Sequence, residues 1–141
     1  MNYNGTGIND SATIIGKAAK DIANGAFKAA KLGPDGIELA AAGDVAVGIL
    51  IPETESPRAG DDVVVQVKDM GLGIAGAAIE AGALLAADAN GKLVAAASGA
   101  FIVAQAMEGA EEADQVIPVQ IIKAGYAAAA TGGSDTGDDN G

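Results

Sequence analysis

The 141-residue chain contains no cysteine, no histidine and no tryptophan, and only two tyrosines and two phenylalanines. Each absence removes a chemistry. Without Cys or His, no zinc finger, no Cys- or His-ligated iron or copper, no thiol nucleophile and no Ser-His-Asp triad can be assembled. A disulfide-stapled scaffold is excluded as well. Positive charge is also scarce: 8 Lys and Arg against 19 Asp and Glu leave a net charge of −11. A nucleic-acid binder needs a basic face that displaces counterions from phosphates. Here Lys17, Lys20, Lys28 and Lys31 form the one basic cluster, diluted by Asp21 and Asp35, and it reads as a solvated face. The same charge repels anionic membranes. No apolar run approaches the ~18 residues of a transmembrane helix, and Met1-Asn2-Tyr3-Asn4-Gly5 has neither the basic nor the apolar region of a signal peptide. Neither nucleic acid nor membrane is therefore an expected partner.

What the chain does have is small residues. It carries 33 Ala and 21 Gly, more than a third of all positions. Glycine and proline punctuate it so often that the longest stretch free of both is the ten residues Asp61 to Met70. Gly costs about 1 kcal/mol and Pro about 3 kcal/mol inside a helix, so short strands joined by turns fit the spacing. Asp62-Val63-Val64-Val65-Gln66-Val67-Lys68 is the clearest strand, because β-branched side chains pack well on a pleated surface. Asp44–Ile51, Phe101–Ala104 and Val116–Ile122 follow the same style. Pro118 has no backbone donor, which predicts an edge position or a bulge for the last of these. Gly33-Pro34-Asp35-Gly36 and Ala89-Asn90-Gly91-Lys92 read as tight hairpin turns. Asp10 to Asn24 is ambiguous. Its apolar residues Ile14, Ile15, Ala18, Ala19 and Ile22 have helical spacing, but Gly16 and the repeat described next favour a strand.

The same unit occurs twice. Ile22–Ala30 matches Ile79–Ala87 at an offset of 57, and Gly36–Ala42 matches Gly91–Ala97 at 55. Gly43–Val47 matches Gly99–Val103 at 56, and Val65–Val67 matches Val119–Ile121 at 54. Four blocks in one order, drifting by a few positions, are what loop insertions produce. This predicts an all-β fold: a single domain over residues 11–126, a small β-barrel or β-clip-like structure built from quasi-repeats at about 13–71 and 72–125. Residues 1–10 form a polar, flexible arm whose bulky groups are Tyr3 and Ile8. Residues 127–141 form an Ala/Gly/Asp tail, expected to be disordered and solvated. Ile, Val and Leu together supply only 30 core-building residues, so the chain gains from burying further surface in an assembly.

Catalytic raw material is thin. Asp61-Asp62, Glu111-Glu112 and Asp138-Asp139 are adjacent pairs that face opposite ways in a strand, and read as solvated turns. Asp135–Gly141 lacks the spacing and closing Glu of a calcium loop. Gly71-Leu72-Gly73-Ile74-Ala75-Gly76 spells G-x-G-x-x-G, but Gly82 follows too soon for the helix a dinucleotide site requires. The flanks of Lys68-Asp69-Met70 do not match the lysine turn of lipoyl domains. No catalytic, metal or cofactor site is predicted.

Several segments carry a family resemblance. Asp21-Ile22-Ala23-Asn24-Gly25-Ala26-Phe27, Ala42-Gly43-Asp44-Val45-Ala46-Val47-Gly48-Ile49, Ile79–Lys92 and Ala97-Ser98-Gly99-Ala100-Phe101-Ile102-Val103-Ala104 resemble the small capsid decoration (cement) proteins of tailed phages. The likeness covers roughly residues 13 to 123. The polar arm and the Pro52 to Asp61 loop have no counterpart in it. The resemblance implies a non-enzymatic virion protein on the outer surface of an icosahedral head. It also implies a homotrimer, with the major capsid protein as partner, that stabilises the expanded shell. Under that reading Tyr3 and Ile8 are the candidate capsid contacts. A secreted or surface β-module binding carbohydrate or protein is the alternative, although sugar sites usually need exposed aromatics. A clip-type enzyme is a third reading, for which no site is assembled.

Overall fold

A computed structural model describes residues 11–52 and 56–128. Among them the chain forms ten strands and no helix. They are β1 Thr13–Lys17, β2 Ala29–Gly33, β3 Gly36–Leu39, β4 Gly48–Ile51, β5 Asp62–Gln66, β6 Asp69–Ile74, β7 Leu84–Ala87, β8 Leu93–Ala95, β9 Ala104–Ala106 and β10 Val116–Ile121. The first five make one antiparallel sheet in the order β1-β5-β4-β2-β3, and the last five a second in the order β6-β10-β9-β7-β8. Adding five to each label of the first sheet gives the second, so the fold is all-β and built from two units of identical topology.

Register fixes the equivalences. Gly16 pairs with Val63 as Gly73 pairs with Ile117, and Leu50 pairs with Val65 as Ala106 pairs with Val119. The offsets are therefore 57 for β1/β6, 56 for β4/β9 and 54 for β5/β10. The last two agree with the sequence matches. In β2/β7, Ala30 pairs with Gly48 as Leu85 pairs with Ala104, an offset of 55 where sequence similarity suggested 57. A slip of two keeps the same strand face, so an Ala-rich segment aligns almost as well in the wrong register. In β3/β8 the offset is 56 rather than 55.

The sheets do not close into a barrel. In each unit a single parallel bridge, Ala18 to Ile37 and Ala75 to Leu93, brings the two edge strands together. Closure needs a full ladder at that seam, and each sheet curls around its core without one. Inward residues alternate as a pleated strand requires: Val63 and Val65 on β5, and Ile117, Val119 and Ile121 on β10, are buried. Of the 25 buried apolar side chains among the described residues, 11 are Ala. The largest side chains that are completely buried are Leu85, Leu93, Val65, Val103 and Val119.

Several strand expectations are corrected. Asp44–Val47 is not part of β4. Gly43 adopts φ 71°, and this stretch runs along the seam between the units. Phe101 is likewise outside β9, bridging Tyr126 instead. The Asp10–Asn24 region holds β1 and no helical turn among its described residues. Pro118 lies in a strand paired on both sides, without a bulge. Its backbone faces β9 where that strand has ended: Met107 N–H donates to Pro118 O at 3.0 Å, and the missing donor is the one beyond it. The turns Gly33–Gly36 and Ala89–Lys92 join β2 to β3 and β7 to β8, as their residues predict.

The two units are joined by backbone bonds and a shared core. Ile74 N–H donates to Phe27 O (2.9 Å), Ala29 N–H to Gly91 O (2.7 Å) and Gly43 N–H to Ala87 O (3.1 Å). One apolar cluster, with Ile22, Leu50 and Val65, belongs to the first unit alone. The second unit's cluster also takes in Ala29, Ala40, Ala46 and Ile49 from the first, with Phe27 packed against it.

Candidate functional site

The residues that could carry chemistry are dispersed. Asp62 is exposed and ion-paired with Lys17 at 2.7 Å, while the Asp61 carboxylate accepts from Arg58 N–H at 2.9 Å. Glu111 and Glu112 lie exposed in the β9–β10 connection. Among the described residues no group of three or more acidic side chains is placed to hold a metal ion. The Gly71–Gly76 motif lies along β6 and just past it, so its amides are spent on a sheet. Gly73 is there for close approach: a Cβ would run into the Leu93 side chain. Lys68 lies in the link between the two sheets, and Asp69, at φ 67°, and Met70 open β6. Tyr3, Ile8, Asp135–Gly141 and Asp138-Asp139 lie outside the described residues.

The lysine cluster is largely consumed by carboxylates. Lys31 Nζ sits 2.7 Å from Asp44, whose carboxylate also accepts from Ala41 N–H at 2.9 Å. The Lys31 hydrogen bond first, then the Ala41 amide, hold the Asp44 carboxyl below the usual range, and the same bond raises Lys31. Lys20 is 3.9 Å from Glu38. Lys92 is bonded to Asp114, which raises its pKa. An open groove of about 490 Å³ between the units is lined by Lys20, Lys28 and Lys92 with Asp21, over an Ala40–Ala41 floor. Two of its three lysines already have carboxylate partners, so it presents little free positive charge.

The distinctive surfaces are apolar. β6 presents Met70 and Leu72 outward, bordering a groove of about 380 Å³ lined also by Phe27, Ile49 and Ile51 of the first unit. Ile15, Leu32, Val45, Leu84 and Met107 are exposed elsewhere. Tyr126 stands edge-on to Phe101 with ring centroids 5.7 Å apart. Sequence alternation marks such residues as apolar but not as outward-facing, because that depends on register. Among the described residues no helix is long and apolar enough to cross a membrane.

Fold and surface together define an all-β tandem-unit protein whose described residues include a set of exposed apolar side chains. No family model matches the chain, and no curated protein matches it in sequence. Among solved structures, it is similar to the N base of the head fiber gp8.5 of bacteriophage phi29. The TM-score is 0.59 and the identity 20 %, over 82 % of this chain and 97 % of that one.

Proposed function

We propose that this chain is a non-enzymatic structural protein of a phage virion that binds the outside of an icosahedral head and stabilises the expanded capsid. The observation that carries this reading is the likeness of its fold to a phage head-fiber base over nearly the whole of that base. The resemblance of residues 13 to 123 to capsid decoration proteins supports it from the sequence, independently of the fold. In this reading the major capsid protein is the partner, the chain acts as a homotrimer, and Tyr3 and Ile8 on the arm make the capsid contact, adding a strand to the shell. A ligand that binds the expanded lattice and not its precursor stabilises the expanded state by mass action, about 2.7 kcal/mol per site at a hundred times Kd.

Co-sedimentation with heads of the matching phage tests the proposal. The protein is expected to pellet with expanded heads, to leave unexpanded ones in the supernatant, and to raise the temperature at which expanded heads release DNA. A chain lacking residues 1–9 is expected to lose most of its occupancy. Full occupancy by that truncation would remove Tyr3 and Ile8 from the contact, and failure of the whole chain to bind any head would overturn the proposal.

A further inference from the structure

One face of the first sheet carries an apolar surface that register assembles from three strands. Ile15 pairs with Val64, and Val64 with Ile51. The three side chains therefore form a row across β1, β5 and β4, on the face opposite the buried Val63 and Val65. Ile15 is exposed, and Val64 and Ile51 are half-buried. The next row on this face is Thr13, Gln66 and Ile49. Beside it the exposed Met70 and Leu72 of β6 border the groove of about 380 Å³ that Ile49 and Ile51 also line. Gln66 holds the β6 backbone at this point: its side-chain amide donates to Lys68 O at 3.0 Å and to Met70 O at 2.7 Å. Beyond the Ile15 row lies the Lys17–Asp62 ion pair. An apolar surface bounded by polar groups in this way marks a docking site.

The chain itself supplies an occupant. Thr13 pairs with Gln66, and Ala12 O accepts from Val67 N–H at 2.7 Å, so residues 1–10 join the fold at the edge of this surface. We infer that the surface is the intramolecular docking site of the N-terminal arm, with Ile8 seated in the groove against Met70 and Leu72 and Tyr3 laid over the Ile15–Val64–Ile51 row. The reach fits. Ile8 precedes Ser11 by three residues, ~10 Å of extended chain, and the two strand spacings from β1 to β4 also make ~10 Å. Tyr3 has five residues more, ~17 Å, and the Ile15 row lies only ~7 Å beyond the Gln66 row. The charge fits as well. Residues 1–9 contain no charged side chain, whereas the whole chain carries −11. A second copy brings that like charge to the surface and is repelled, but the arm brings none of it. Attachment to the same chain also holds the arm near the groove at about millimolar effective concentration. The inference concerns the free chain and does not rest on capsid binding. Where both hold, Tyr3 and Ile8 cannot face the groove and a shell at once, so a head that takes them uncovers this surface.

The test uses the full chain in solution with no heads present, so its outcome is separate from that of capsid binding. Methyl nuclear Overhauser contacts read the seat of Ile8. Tyrosine fluorescence reads Tyr3, because the chain has no Trp and Tyr126→Phe leaves Tyr3 as the one tyrosine. Ile8 methyls are expected to show contacts to Met70 and Leu72 that persist on dilution, and acrylamide is expected to quench Tyr3 less than in the urea-unfolded chain. Leu72→Gln, at an exposed position, is expected to abolish the Ile8 contacts to residue 70 and to raise Tyr3 quenching to that of the unfolded chain. Circular dichroism establishes that this variant folds, and Met70→Gln, read at Leu72, replaces it if it does not. Absence of contacts from Ile8 to the groove, or Tyr3 quenched in the parent as in the unfolded chain, overturns the inference. Contacts that vanish on dilution give the groove to a second copy and overturn it too, as does a folded Leu72→Gln or Met70→Gln variant whose Tyr3 stays shielded.

Discussion

Phe27 is an aromatic residue in the left-handed region, at φ 64°, a conformation its counterpart Gly82 adopts at φ 87° without a side chain to strain. An L-residue there costs roughly 1–2 kcal/mol, and the offset is packing, since the Phe27 ring lies against the core of the second unit. Truncation therefore inverts the usual order. Phe27→Ala loses the ring and keeps the strain, at a cost of about 2 kcal/mol. Phe27→Gly loses the same packing but relieves the backbone, and is expected to be the milder change by about 1 kcal/mol in urea unfolding. Asp44 supplies a second test at this scale. Its carboxyl is held below the ordinary 3.8 by Lys31 and then by the Ala41 amide. A depressed carboxylate stabilises the fold above its unfolded pKa, and the contribution is lost as pH falls through the folded one. Asp44→Asn is expected to cost about 1 kcal/mol at neutral pH, with the gap to the parent narrowing below about pH 4. In the second unit Ala100 makes the same turn without a carboxylate: Ala100 N–H donates to Ala97 O as Asp44 N–H donates to Ala41 O. The turn therefore survives the change, and only its stability moves.

Among the strands, β10 distinguishes tolerated from forbidden proline. Pro118 faces β9 just past its last paired residue, so it forgoes one bond that its counterpart Val64 is free to make. Pro118→Val gains up to about 1 kcal/mol of hydrogen bonding and loses a comparable amount through the freer unfolded chain. It is expected to change stability by less than about 0.5 kcal/mol. Gln120, two residues on, pairs with Gln105 inside the β9 ladder. Gln120→Pro removes a bond there and is expected to cost about 3 kcal/mol or more, read from the same denaturation midpoints. The contrast also shows what was legible in the sequence. Proline advertises a missing donor, but whether that donor faces a ladder is decided by where the neighbouring strand stops. β5 was legible because Val63 and Val65 fill the interior with their own side chains. β6 was not, because its inward positions are Gly71 and Gly73 while Met70 and Leu72 point out. Its alternation reads inside out, since Leu93 of β8 reaches across to fill the space Gly73 leaves. The repeat was legible through turns at Gly43/Gly99, and it slipped by two residues where alanine carries little register information. The exposed apolar residues stayed hidden for a related reason: Ile15 and Val65 look equally core-like until pairing says which faces out. The anchors proposed on the arm, Tyr3 and Ile8, lie outside the described residues.

At the scale of the whole molecule the question is whether two units with two cores unfold as one body. The first unit's cluster is its own, but the second unit's cluster borrows Ala29, Ala40, Ala46 and Ile49, so the dependence is asymmetric. Two neighbours on β4 expose it. Ile49 and Leu50 are 2 % and 3 % exposed and point to opposite faces of the same strand, Leu50 into the first unit's core and Ile49 into the shared one. Either residue truncated to Ala is expected to cost about 2–4 kcal/mol, the usual range for a buried aliphatic that leaves a cavity. Equal cost does not mean equal reach. Leu50→Ala weakens contacts made only within the first sheet, so native-state hydrogen exchange is expected to quicken in β1, β4 and β5 while β10 keeps its protection. Ile49→Ala removes a side chain that the second core needs, and is expected to quicken exchange at Val119 and Ile121 on β10 as well as in β4. If both variants left β10 untouched, the seam would be a contact between independently stable units. If both loosened it equally, the molecule would open only globally and the asymmetry of the two cores would have no energetic weight. The intermediate pattern is the one the packing requires, because only one of these two adjacent side chains crosses from the first unit into the second.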